Sequence, residues 1–231
     1  MRDIKGEMLV DVFFYLLLGF FDIFTIMIFT FCMFRFPASD YLREFCLIAG
    51  VASSASFVNR MVLEMPIIDP GIQFVLITLF MRFMLQFRSY EATLVSAVGY
   101  LGYTGGQFLI FPLLYELGVT SLADLTELTG WGISITQVLS DLLVLGVSLL
   151  VKRLHLGFSF VPQPPHSFTI SQKPNKLEQI MVAGVSFGVI SLLSVVYLMA
   201  VAQEKTVYLL LVIFVPIMFL LWLLRKREQY A

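Results

Sequence analysis

The sequence predicts an all-α fold, a polytopic transmembrane bundle of six or seven helices, on three observations. Of its 231 residues, 59% are hydrophobic and 13% are charged, about half the charge of a soluble globular domain. Mean hydropathy is +0.90. The apolar residues also fall in blocks, divided by short polar stretches, of roughly the 20 residues needed to cross a hydrocarbon core of about 30 Å. Lipid is therefore the expected solvent. Such helices with short connections fill 1–231 as a single domain and leave no room for a soluble one.

The first span is expected over 12–34. Glu7 and Asp11 interrupt the segment after Arg2 and Lys5, the apolar run is too long for a signal peptide, and no small-residue cleavage site follows, so this helix is expected to stay. The second span, 42–58, is diluted by Ser53, Ser54 and Ser56 and closed by Asn59; without it the number falls to six. Arg60, Glu64 and the stretch from Pro66 to Pro70 form the turn that follows. Spans three to five are expected over 71–87, 92–115 and 130–151, and spans six and seven over 180–202 and 207–224. The connection 152–176 carries Pro162, Pro164, Pro165 and Pro174, so it is an extended loop rather than a helix throughout. The connection 117–128 mixes leucines with acidic residues and suits a short helix lying on the membrane surface.

Basic residues set the expected orientation, because short cytoplasmic loops hold an excess of Lys and Arg. Seven spans put ten of them on one side: Arg35, Arg43, Arg88, Lys152, Arg153, Lys173, Lys176 and the run Arg225, Lys226, Arg227. Only four, Arg2, Lys5, Arg60 and Lys205, fall on the other. The N-terminus is thus expected outside and the C-terminus in the cytoplasm. Because the basic residues are scattered between apolar blocks and the net charge is −1, a nucleic-acid partner is not expected.

Ionisable groups inside a membrane are costly enough to count as functional candidates. Three qualify: Asp22 and Asp141, near the middle of spans one and five, and Arg82 in span three. Arg82 lies six residues before Arg88, roughly 9 Å into the membrane at 1.5 Å per residue, and can snorkel to the surface. The aspartates have no such escape. They pair with Arg82, accept from Gln and Tyr side chains, or carry a proton, since hydrocarbon disfavours the charged form. An Asp141–Arg82 pair tying span five to span three is the structural alternative to a ligand or proton role.

Span four adds Tyr100, Tyr103, Thr104 and Gln107 around Gly99, Gly102, Gly105 and Gly106, so it is the expected wall of any ligand pocket. Close helix packing is the alternative, there and at Gly184 and Gly188. Cys32 and Cys46 lie near the reducing side, where no disulfide is expected. His155 and His166, with prolines between them, match no structural zinc spacing, so neither metal nor cofactor is expected. No intramembrane His stands ready as a base, no phosphate-binding Gly loop occurs, and Asp22 with Asp141 lacks the motif context of an aspartyl protease. A non-enzymatic protein is expected.

An N-out array of six or seven helices, with a Pro-rich loop before the last pair and a basic exit at Arg225, Lys226 and Arg227, resembles the membrane sensor region of Agr-type peptide-sensing histidine kinases. The stretch Leu154-His155-Leu156-Gly157-Phe158-Ser159-Phe160-Val161-Pro162 is similar to a junction in kinase-like membrane proteins of spore-forming Gram-positive bacteria. The resemblance implies a bacterial plasma membrane and a small ligand or peptide as the signal. In that family the last helix leads into a dimerisation helix with the phospho-accepting His and an ATP-binding domain. No His follows Arg227 here, so the resemblance implies a sensor without autokinase activity, orphaned or serving a separate signalling protein or kinase.

A sensor-like module is thus the leading expectation, with homodimerisation open. A small permease or substrate-binding transport subunit, with Asp22, Arg82 and Asp141 lining a midplane site, is the alternative; a structural protein that recruits a partner is the third. A neighbouring gene for a response regulator or peptide precursor favours the first, and one for an ATPase favours the second.

Overall fold

In hydrocarbon no water satisfies the backbone, so a spanning segment must bond its own N–H and C=O groups, which selects helices or closed barrels. The computed structural model describes residues 2–121, 130–164, 176–201 and 213–229, and these form helices without a strand. They are α1 (Arg2–Met33), α2 (Leu42–Phe57), α3 (Asp69–Phe83), α4 (Ser89–Glu116), α5 (Trp131–Arg153), α6 (Lys176–Val201) and α7 (Phe214–Gln229). Four stretches among the described residues are long and apolar enough to cross a membrane: 12–33 in α1, 38–62 around α2, 89–116 in α4 and 131–153 in α5. The chain fits a multi-pass integral membrane protein.

The serine-diluted second span reaches that length because a 3₁₀ turn (Ala38–Tyr41) precedes α2 and a π-helical turn (Val58–Val62) extends it. In contrast α3 has 15 residues, about 22 Å at the helical rise, and stops four residues short of its expected end. α1 begins ten residues before the expected start, since Asp3, Lys5, Glu7 and Asp11 lower hydropathy without breaking a helix. The expected surface helix within 117–128 falls largely outside the described residues, as do Lys173, His166 and the junction between spans six and seven.

Polarity is distributed as lipid requires. Phe21, Leu47, Val75, Leu79, Leu109, Leu149 and Phe187 stand exposed on the bundle surface, while Ser96, Thr136, Ser140 and Ser148 are buried. Buried hydroxyls at Thr30, Thr104, Thr136, Ser140 and Ser148 each donate to the carbonyl one turn earlier, which satisfies them within their own helix.

α1 packs against α2, α4 and α5, and α4 also contacts α3, α6 and α7. Glycines permit the closest approaches, as the spacing in span four suggests. A Cβ on Gly102 would meet Phe29 Cζ of α1 at 2.9 Å, one on Gly106 would meet Val144 Cγ2 of α5 at 2.8 Å, and one on Gly188 would meet Leu101 Cδ1 of α4 at 2.6 Å.

The end of the bundle that carries Arg35, Arg88, Arg153 and Arg225 is closed by aromatic rings. Phe31 lies edge-on to Phe45 at 4.7 Å between centroids, and Phe34 touches Phe36, Phe158 and Phe160. Here the loop after α5 turns back under α1: Phe158 N–H donates to Met33 O at 2.6 Å. Gly157 is needed for that approach, because a Cβ there would lie 2.8 Å from Cys32 O and 2.9 Å from Met33 O. The same loop holds α7: Glu228 accepts from Ser159 N–H, Ser159 Oγ–H and Phe160 N–H at 2.6–3.2 Å, while Arg227 lies over the Phe160 ring. This clasp joins the ends of α1, α5 and α7.

Candidate functional site

Toward the opposite end, α1 to α5 diverge around a cavity of about 220 Å³ whose walls carry polar and charged side chains from all five helices. α1 contributes Tyr15, Gly19 and Asp22; α2 and its π turn contribute Ser53, Ser56 and Arg60; α3 contributes Asp69 and Gln73. α4 supplies Tyr100, Tyr103, Thr104 and Gln107, and α5 supplies Thr136 and Gln137.

One wall is centred on Asp69. Its position in the first turn of α3, followed by Pro70, suits a helix start, where acid side chains face the positive end of the dipole. The carboxylate is 1% exposed and accepts from Arg60 Nε at 2.7 Å, Ser56 Oγ at 2.8 Å and Asn59 Nδ2 at 3.1 Å. Tyr15 OH lies 3.0 Å from Ser56 Oγ, and since the single hydrogen of Ser56 goes to Asp69, Tyr15 donates. The π turn delivers Asn59 and Arg60 to this site, a use consistent with the frequency of such turns at functional positions. Gln73, one turn along α3, donates to Ala52 O at 2.9 Å and leaves its Oε1 buried with no partner.

The other wall is centred on Asp22. Tyr103 OH donates to its Oδ1 at 2.6 Å and Gln137 Nε2 to its Oδ2 at 2.9 Å, while Gln107 Nε2 donates to Tyr103 OH at 3.3 Å. Three helices are thereby tied through one carboxylate. Asp141, one turn beyond Gln137, is buried behind this group, within electrostatic reach of Asp22, Thr25 and Tyr103. Its Oδ1 accepts no hydrogen bond.

The residues singled out from sequence thus divide. Asp22, Tyr100, Tyr103 and Gln107 meet in one cavity, with Asp141 adjoining. Arg82 lies elsewhere: it donates to Phe87 O at 2.7 Å, bonding the backbone just past the C-terminal end of α3 at the aromatic end. The Asp141–Arg82 pair is one alternative that the sequence allows; Asp141 instead adjoins Thr25 and Tyr103, and Arg82 reaches toward the basic end, the direction of snorkelling. Cys32 is buried, Cys46 is exposed, and both are free thiols.

Sequence reasoning missed the Asp69 cluster and Gln137. The signal was present as spacing: Ser56, Asn59 and Arg60 share a face at three- and four-residue steps, as do Asp69 with Gln73 and Gln137 with Asp141.

Outside the membrane, the Glu228 carboxyl is partly buried, which opposes its charge, but the hydroxyl of Ser159, the two amides and the nearby Arg35 outweigh that and hold it below the usual range. A folded-state pKa below the unfolded one means that the clasp's contribution is complete above the unfolded value and fades as pH falls through the folded one. Comparison of the chain with protein-family models, curated proteins and solved structures finds no match.

Proposed function

We propose that the chain is a receptor-like membrane module: it takes a small polar ligand into the cavity and passes its occupancy, without chemistry of its own, to the clasp at the basic end. The observation that supports this most is the polar cavity itself, since buried polar groups in lipid are kept at a cost and two hydrogen-bonded groups, centred on Asp22 and Asp69, border the same space. α1 carries Asp22 on the cavity wall and Met33 at the clasp, so a shift of one helix reaches both. By the distribution of Lys and Arg the clasp faces the cytoplasm, by the resemblance that of a bacterial cell, where the loop and the Arg225–Arg227 tail meet a separate signalling protein. A ligand shifts such an equilibrium only by its preference for one packing, about 1.4 kcal/mol for each tenfold.

Gly19→Met tests the relay by placing a flexible side chain in the cavity, where a Cβ meets only Ser53 at ordinary contact distance. Hydrogen exchange at the Ser159 and Phe160 amides, corrected for intrinsic rates, is expected to change several-fold while accumulation stays normal. Acidification below the Glu228 folded pKa serves as the reference for an open clasp. Unchanged exchange with the cavity filled contradicts the proposal.

A further inference from the structure

Charge decides what such a cavity accepts, and the inference rests on its being a ligand site. Two carboxylates and one guanidinium line it: Asp22, Asp69 and Arg60. Arg60 is committed to Asp69, which also draws on Ser56 and Asn59. Asp22 receives only the neutral donors Tyr103 and Gln137, and among the described residues no cation pairs with it. Donors at both oxygens are what an acceptor-only carboxylate requires. With Asp22 in that ionised form the walls carry one negative charge that no hydrogen-bonded cation answers, in surroundings where water screens little, and a bound cation would hold the carboxyl in that form.

Tyr100, Phe108 and Phe111 add aromatic rings to the lining, and aromatic faces attract cations. At about 30 Å³ per water in the liquid, the volume of about 220 Å³ suits a compact molecule in place of about seven waters.

We infer that the occupant is a compact organic monocation of the amine class, with its charged end against Asp22. An anion would meet net negative walls and an Arg60 that is already paired. A neutral ligand would leave Asp22 uncompensated.

Three probes of similar shape test this on the full chain in nanodiscs: butylammonium, butanol and butyrate, at millimolar concentrations. Butylammonium is expected to raise the thermal midpoint saturably, and butanol and butyrate are not. Asp22→Asn is expected to weaken butylammonium roughly tenfold to a hundredfold, the range of one charge-assisted hydrogen bond. Tyr103→Phe, which keeps the charge, retains the preference for butylammonium over butyrate, so the test survives if the Asn variant fails to fold. Equal or stronger stabilisation by butyrate or butanol, no saturable effect of butylammonium, or undiminished binding by a folded Asp22→Asn overturns the inference. Butylammonium binding that leaves the Glu228 clasp unmoved sinks the relay but keeps the cation; a clasp that responds to Gly19→Met in a protein indifferent to butylammonium does the reverse.

Discussion

Gly99→Leu is expected to abolish accumulation of folded protein in the membrane. Even the Cβ of an alanine at 99 would overlap Thr30 Oγ1 and lie 3.0 Å from Thr30 Cβ and 3.5 Å from Ile26 Cγ2, all on α1. Thr30 is fully buried and its hydroxyl is held by Ile26 O at 2.6 Å, so it has little room to give. Overpacking of this kind costs about 1–3 kcal/mol for added methylenes and more for larger groups. Gly99→Ala should therefore lower the thermal midpoint, whereas leucine forces α1 and α4 apart and pulls Tyr103, one turn along, from Asp22. Gly146→Ala is the matched control, since nothing lies within 4 Å of a Cβ there, and it should gain up to about 1 kcal/mol of helix propensity. Size-exclusion behaviour and thermal midpoint in detergent read all three.

Asp69→Ala is expected to cost about 3–5 kcal/mol, the range for removing one partner of a buried pair. That is a large share of the roughly 5–15 kcal/mol that holds a domain folded. The loss arises less from the pair's own strength than from what remains: Arg60, Asn59 and Ser56 would point at an empty acceptor position. The double variant Arg60→Leu/Asp69→Leu is accordingly expected to be more stable than Asp69→Leu alone, because it removes the uncompensated charge as well. Denaturation midpoints of the two single variants and the double variant form the cycle; strict additivity would contradict the hub role of Asp69.

The helices were legible because lipid imposes one rule on backbone and side chain alike, and apolar length reports it. Span two is the instructive case: its serines reduce hydropathy, yet Ser53 and Ser54 both donate to Gly50 O, so the polarity is absorbed inside the helix. Helix ends were less legible. Arg35, Gln86 and His155 hold left-handed backbone just after α1, α3 and α5, positions that sequence usually marks with glycine. The cavity was half legible, since hydropathy flags isolated charges such as Asp22 but assigns Asp69 and Arg60 to a polar turn. Only the π turn and the early start of α3 bring those two inward. For Arg82 the sequence left snorkelling and a tie to Asp141 both open, because depth along a helix says nothing about which neighbour the side chain faces.

The most direct measurement is thiol labelling at two α4 positions two residues apart, in protein whose Cys32 and Cys46 have been replaced. Gln107 faces the cavity and Leu109 is exposed on the outer surface of the bundle. A membrane-impermeant maleimide added to intact cells should label Gln107→Cys and leave Leu109→Cys unmodified, because only the cavity admits water at that depth. Labelling of Leu109→Cys with Gln107→Cys inert would mean that α4 turns its polar face away from any cavity and that no ligand site lies there.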